Sequence, residues 1–225
     1  MNKIYLFGDS IGQGLYMDES GKYKLSRKGC ARLLKKSGLP IENYARHGFT
    51  VREGLERFLG LSAETGSLCV IEFSGNDCTP DWDAVSEDPY TFHDGKVPLE
   101  EFKEKLAQFV NMARERALEP VLVTPPPLIS TRYLRCISEG RSTENIMKYL
   151  GDDERIYRWQ ERYANAVKDT AYRLSCRLAD VREWMLDACD YDALMSPDGI
   201  HLNEEGQEYL ANRFADICGI TLKSV

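Results

Sequence analysis

A serine set between an acid and small residues, directly after an apolar run, is the first feature of this chain that could do chemistry. Residues 4–7 read Ile-Tyr-Leu-Phe and lead into Gly8-Asp9-Ser10-Ile11-Gly12, with Gly14 close behind. Two chemistries compete for such a loop. It cradles a phosphate with hydroxyls and backbone N–H groups, or Ser10 is a nucleophile. The phosphate reading fits poorly. A Walker loop needs Gly-Lys-Ser/Thr, no lysine follows here, and G-x-G-x-x-G is not matched. Asp9 would also set a negative charge against the anion.

A nucleophilic serine needs a base, and the chain offers His47, His93 and His201. His93 lies in an acidic, proline-flanked stretch and reads as a loop residue. His47 precedes Gly48 in "NYARHGFT" and is a candidate neighbour of the site. His201 follows Asp198 by three positions in "SPDGIH". That spacing lets one turn deliver an acid and a base, the acid holding the imidazole in the right tautomer. On its own D-x-x-H is also what a helix-start loop with a capping acid looks like. Gly8 to Gly12 also match G-x-S-x-G, but only nine residues precede Ser10. The earlier strands that the α/β-hydrolase elbow requires are therefore not expected upstream.

Short continuous apolar runs at 4–7, 41–44, 68–73, 120–124 and 176–181 read as strands buried on both faces. Between them Phe102, Leu106, Phe109, Val110, Ala113 and Ala117 fall on one helical face, as do Ile156, Trp159, Tyr163, Val167, Ala171 and Leu174. A last helix is expected over 204–217, with Asn203 as N-cap. This alternation predicts a parallel sheet covered on both faces, with sites at the carboxyl ends of strands. "GDS" and "FSGND" (73–77) both stand at such ends. The 225 residues suit a single domain over 1–225. Residues 78–99 and 125–154 show no clean period and read as irregular insertions, candidates for a lid. Trp82, Tyr133 and Tyr149 within them either line a pocket or anchor the segments. Trp159 and Tyr163 read as core.

The net charge of −7 and the lack of a Lys/Arg block argue against a nucleic-acid partner. No run is long and apolar enough to span a bilayer, so no membrane partner is expected. Met1-Asn2-Lys3 runs directly into the first strand, so no signal peptide is expected. The seven cysteines are scattered without a C-x-x-C pair. They read as reduced thiols in a cytoplasmic protein without a zinc site. Asp81, Asp83 and Asp94 lack calcium-loop spacing and read as a solvated loop. No metal or cofactor is expected.

Taken in order, the motifs resemble those of the SGNH (GDSL-type) hydrolase family. "FGDSIG" is similar to its first block, "NYARHGFT" to its second, "FSGND" to its third and "SPDGIH" to its fifth. The resemblance spans residues 4 to about 217. It implies a flavodoxin-like three-layer α/β/α sandwich with a central parallel five-stranded sheet. It implies Ser10 as nucleophile, His201 as base and Asp198 as its acid. It also implies an oxyanion hole from the Ser10 N–H, the Gly48 N–H and the Asn76 amide. The third block departs from the family pattern G-x-N-D, since Ser74 stands where the first glycine would be. Asp9 and Asp77 are read as structural. The expected activity is hydrolysis of short-chain, acetyl-like esters of small molecules, sugars among them. Alternatives are a lysophospholipase- or thioesterase-type acylhydrolase, and a non-catalytic ligand-binding module on the same fold.

Overall fold

The structure is a computed structural model that describes residues 2–218 and 220–222. Met1, Gly219 and residues 223–225, parts of the domain expected over 1–225, lie outside them. The strands are β1 (Ile4–Gly8), β2 (Leu15–Met17), β3 (Tyr23–Leu25), β4 (Ile41–Asn43), β5 (Leu68–Glu72), β6 (Glu119–Val123) and β7 (Arg177–Ala179). Among the described residues five of them form one sheet in the order β4-β1-β5-β6-β7. Every pairing in it is parallel, with Ile4 opposite Ile41 on one side and Leu68 on the other. The chain moves from β1 outward to β4, then crosses back to β5. Connections on either side of β1 therefore leave on opposite faces, and a crevice opens at its carboxyl end. Ser10 stands there.

Alternation within β1 divides its side chains between two layers. Tyr5 and Phe7 join Ile71, Leu106, Phe109 and Tyr163 in a fully buried core. The helices Val51–Leu59, Leu99–Glu115 and Arg155–Arg173 cover that face. Each fully buried side chain of this size contributes about 1.5–3 kcal/mol relative to exposure. Ile4 points to the other face, where the helices Cys30–Lys36 and Glu204–Cys218 pack. Gln207 ties those helices together, its Oε1 accepting from the Cys30 N–H at 2.9 Å. Asn203 caps the last helix, its Oδ1 accepting from the Gly206 N–H.

The two insertions correct the sequence reading. They are not irregular throughout. Residues 78–99 hold the helix Trp82–Glu87, and residues 125–154 hold Ser130–Ser138 and Thr143–Leu150. Their apolar faces pack on each other rather than on the sheet. Trp82, Val85, Tyr133, Ile137, Ile146 and Leu150 belong to a cluster of their own. Short helices on a private core have too few turns for a period to stand out. Trp82 and Tyr133 thus anchor these segments, and Tyr163 is core as read, with Trp159 packed against that core. Asp81 caps the helix Trp82–Glu87 and Asp83 pairs with Arg141.

Candidate functional site

Ser10 begins the one-turn helix Ser10–Gln13, with Asp9 as N-cap accepting from the Ile11 N–H at 2.9 Å. The Asp198 turn reaches Ser10 from the far end of the chain. Asp198 Oδ1 accepts from the N–H groups of Ile200 and His201, each at 3.1 Å, and so curls the turn back on itself. The fold brings Ser10, His201 and Asp198 into one hydrogen-bonded chain. Ser10 Oγ lies 2.9 Å from His201 Nε2, and His201 Nδ1 lies 2.6 Å from Asp198 Oδ2. All three are buried.

Electrostatics set the direction of this chain. Burial disfavours the Asp198 carboxylate, but the hydrogen bond and charge of His201, with the two N–H donors, outweigh it and hold the carboxyl below its ordinary value. An ionised carboxylate only accepts, so His201 carries its proton on Nδ1. Nε2 is then free to accept from the Ser10 hydroxyl.

The two other residues implied for the oxyanion hole sit on loops bolted to each other. Gly48 has φ +81°, and open space lies where a side chain would be. Thr50, two residues on, caps the helix Val51–Leu59 in a capping box with Glu53. Asn76 lies in the turn Gly75–Cys78 after β5 and donates one amide N–H to Phe49 O at 3.0 Å. Its second N–H remains for another acceptor. Asp77 Oδ1 accepts from the Val51 N–H at 2.8 Å, a second tie between the loops. Ser74 adopts φ +154°, a conformation that glycine reaches at less cost, and its buried Oγ has no partner among the described residues. The departure from the glycine pattern is thus held as local strain at the mouth of this turn.

Beneath the turn lie three buried acids. Burial raises Asp9 to about 6 against the lowering effect of its Ile11 hydrogen bond. Burial raises Asp77 to about 8, with the charge of Asp9 adding to it and the Val51 N–H opposing it. Burial and the adjacent Asp9 push Glu72 well above its ordinary value. A neutral Asp77 also suits its Oδ2, which is buried without a partner. Unfolded, Asp77 releases its proton near 3.8. Between the two values the folded chain binds more protons, so stability falls as pH rises from about 4 to about 8. Asp77→Asn keeps the acceptor for Val51 and is expected to flatten this fall. Urea midpoints at pH 5 and pH 8 check it. A variant whose midpoint falls as steeply as the wild type's overturns the assignment.

Two aromatic groups border the pair of Ser10 and His201. Tyr23, on β3, meets the His201 ring edge-on at 5.4 Å and the His47 ring at 6.1 Å. His47 lies 6.5 Å from His201, so the fold brings it beside the site. Burial, His201 and Lys96 all disfavour its charged form. His93 is elsewhere, against Asp88 and Tyr149. Sequence reasoning missed Tyr23. Its strand has three residues, all exposed, and gives no apolar signal. The helix Ser130–Ser138 closes one side, since Ile129 N–H donates to Gly199 O at 2.8 Å within the Asp198 turn.

Comparison with curated protein sequences gives no match. Solved structures resemble the chain throughout its length. A lipase/acylhydrolase from Enterococcus faecalis superposes with a TM-score of 0.69 at 20% identity, covering 100% of both chains. An acetylxylan esterase from Geobacillus stearothermophilus gives 0.65 at 20% identity, covering 100% of this chain and 97% of that one. At these identities the likeness establishes the three-layer α/β/α fold. The sequence model described as the GDSL-like lipase/acylhydrolase family matches residues 6–209, nearly the full described length. With the block order and the fold in agreement, the chain belongs to the GDSL-like lipase/acylhydrolase family.

Proposed function

We propose that the protein is a serine esterase that hydrolyses short-chain, acetyl-like carboxylic esters, with acetyl groups on carbohydrates as the favoured class. The observation that carries this reading is the buried hydrogen-bonded chain from Ser10 through His201 to Asp198. His201 Nε2 takes the proton as Ser10 Oγ attacks the ester carbonyl. The Asp198 carboxylate stabilises the imidazolium that results. The Ser10 N–H, the Gly48 N–H and the free Asn76 N–H receive the oxyanion, each worth roughly 3–4 kcal/mol of transition-state stabilisation. His201 then protonates the leaving alcohol. Water, deprotonated by the same nitrogen, releases the acid from Ser10.

The surroundings favour a small acyl group. Tyr23 and His47 give the mouth a polar, aromatic character. An apolar cavity of about 180 Å³ lies behind the Ser10 turn under Cys30–Lys36 and Glu204–Cys218, and neither Ser10 nor His201 lines it. This cavity therefore gives a long acyl chain no channel to the reacting atoms. The acetylxylan esterase among the structural neighbours agrees with a sugar-linked acetyl substrate. Unpaired cysteines and the net charge of −7 support a cytoplasmic enzyme without a nucleic-acid partner. Among the described residues no helix is long and apolar enough to cross a membrane.

The test is kcat/KM across p-nitrophenyl esters of rising acyl length and a set of acetylated sugars. Acetate is expected to lead, with a fall of about tenfold or more by octanoate. Octanoate as the better substrate gives the lysophospholipase-type reading instead. No hydrolysis of any ester, with Ser10 inert to a phosphonate probe, gives the binding-module reading.

A further inference from the structure

Glu72 closes β5 with a carboxyl that has no place in the mechanism above, yet it is buried and faces the turn that carries Ser10. Its Oε2 accepts from the Asp9 N–H at 3.2 Å and from the Gly12 N–H at 3.1 Å. These two donors flank Ser10 on either side. Asp9 Oδ1 takes the Ile11 N–H. Of the four N–H groups from Asp9 to Gly12, the two carboxyls thus take every one but that of Ser10.

The glycines of the motif have the same explanation. A Cβ on Gly8 would stand 2.3 Å from Glu72 Oε2, and one on Gly12 would stand 2.8 Å from it. The carboxyl occupies the space that both missing side chains leave. Strand register fixes the arrangement, since Glu72 pairs with Gly8 across β1 and β5. A buried carboxyl is costly, so a merely space-filling residue would be apolar here.

We propose that Glu72 is a positioning residue for Ser10: its buried carboxyl clamps the Asp9 and Gly12 amides, fixing the Ser10 hydroxyl toward His201 and leaving the Ser10 N–H to the oxyanion. The inference rests on the reading of Ser10 as nucleophile. The clamp needs an acceptor oxygen, not a charge. Burial and Asp9 favour the neutral form of Glu72, and a glutamine presents the same acceptor oxygen.

The experiment compares Glu72→Leu and Glu72→Gln with the wild type on p-nitrophenyl acetate. Rates are taken per active site titrated with a phosphonate. Glu72→Leu is expected to lower kcat roughly 10²-fold with KM nearly unchanged, the scale of a small misplacement of a reacting group. Glu72→Gln is expected to recover at least about tenfold of that loss, since its amide oxygen restores the acceptor. Equal kcat per titrated site in the leucine variant and the wild type overturns the proposal, as does a glutamine variant no better than leucine. If the leucine variant does not fold, amide exchange in the wild type decides. Slow exchange at Asp9 and Gly12 supports the clamp, and exchange there at loop rates overturns it. Failure of the underlying reading is distinct: the phosphonate then does not label Ser10 in the wild type, and amide exchange alone judges the clamp.

Discussion

Ser10→Ala is expected to lower kcat on p-nitrophenyl acetate by roughly 10⁶-fold, the loss that follows when the nucleophile of such a unit is removed. The fold should survive. The Ser10 side chain bonds His201 Nε2, and the loss of that bond costs about 1 kcal/mol. The turn itself is held by Asp9 and Glu72, whose bonds go to backbone N–H groups and are untouched. Turnover and the urea midpoint, measured together, check both halves. A variant that turns over at the wild-type rate ends the mechanism proposed for this site.

The second large effect is at His201. His201→Ala should lose activity on the same scale, and adding it to Ser10→Ala should cost little more, since nucleophile and base act as one unit. Stability separates the two variants. Removing the imidazole strips Asp198 Oδ2 of its 2.6 Å donor, and that carboxylate is 1% exposed. Its two backbone donors remain, so the cost is about 1–3 kcal/mol, larger than for Ser10→Ala. Asp198→Ala should lower kcat about 10⁴-fold, because an imidazole without its acid still accepts protons but in a poorer orientation. Losses that multiply across the double variant would show that Ser10 and His201 act separately.

The strands β1, β5 and β6 are legible because one face is buried and the other half-buried, which leaves them apolar except for Glu72 and Glu119 at their ends. β7 is shorter than its apolar run suggests. It is an edge strand in which Arg177 and Leu178 are exposed, so burial does not define its limits. The pair β2 and β3 leaves no trace, since Tyr23, Lys24 and Leu25 all face solvent, and Tyr23 at the site is missed with them. Glu72 sits inside an apolar run as one acid among aliphatic residues. Its signal is indirect, namely Gly8 at the end of β1 and Gly12 in the Ser10 turn, whose missing side chains leave the room that its carboxyl fills. The meeting of Ser10 with His201 is not contained in either segment alone. Local spacing gives Asp198 with His201, while the order of the blocks and the parallel topology bring that pair to Ser10.

Ser10 and His201 are 191 residues apart, and the turn bearing His201 is secured by the helix Glu204–Cys218 that follows it. A ribosome adding 5–20 residues per second needs about 10–40 s to travel between them. Throughout that interval the nascent chain carries Ser10 without the base proposed for it. Gln207 then docks the last helix, bonding the Cys30 N–H and the Ile11 carbonyl beside the serine. On the mechanism proposed above, hydrolytic capacity consequently arises in one step, once the turn bearing His201 and the helix after it have docked. On that mechanism a chain cut short before His201 is an inert polypeptide rather than a weakened or unselective esterase.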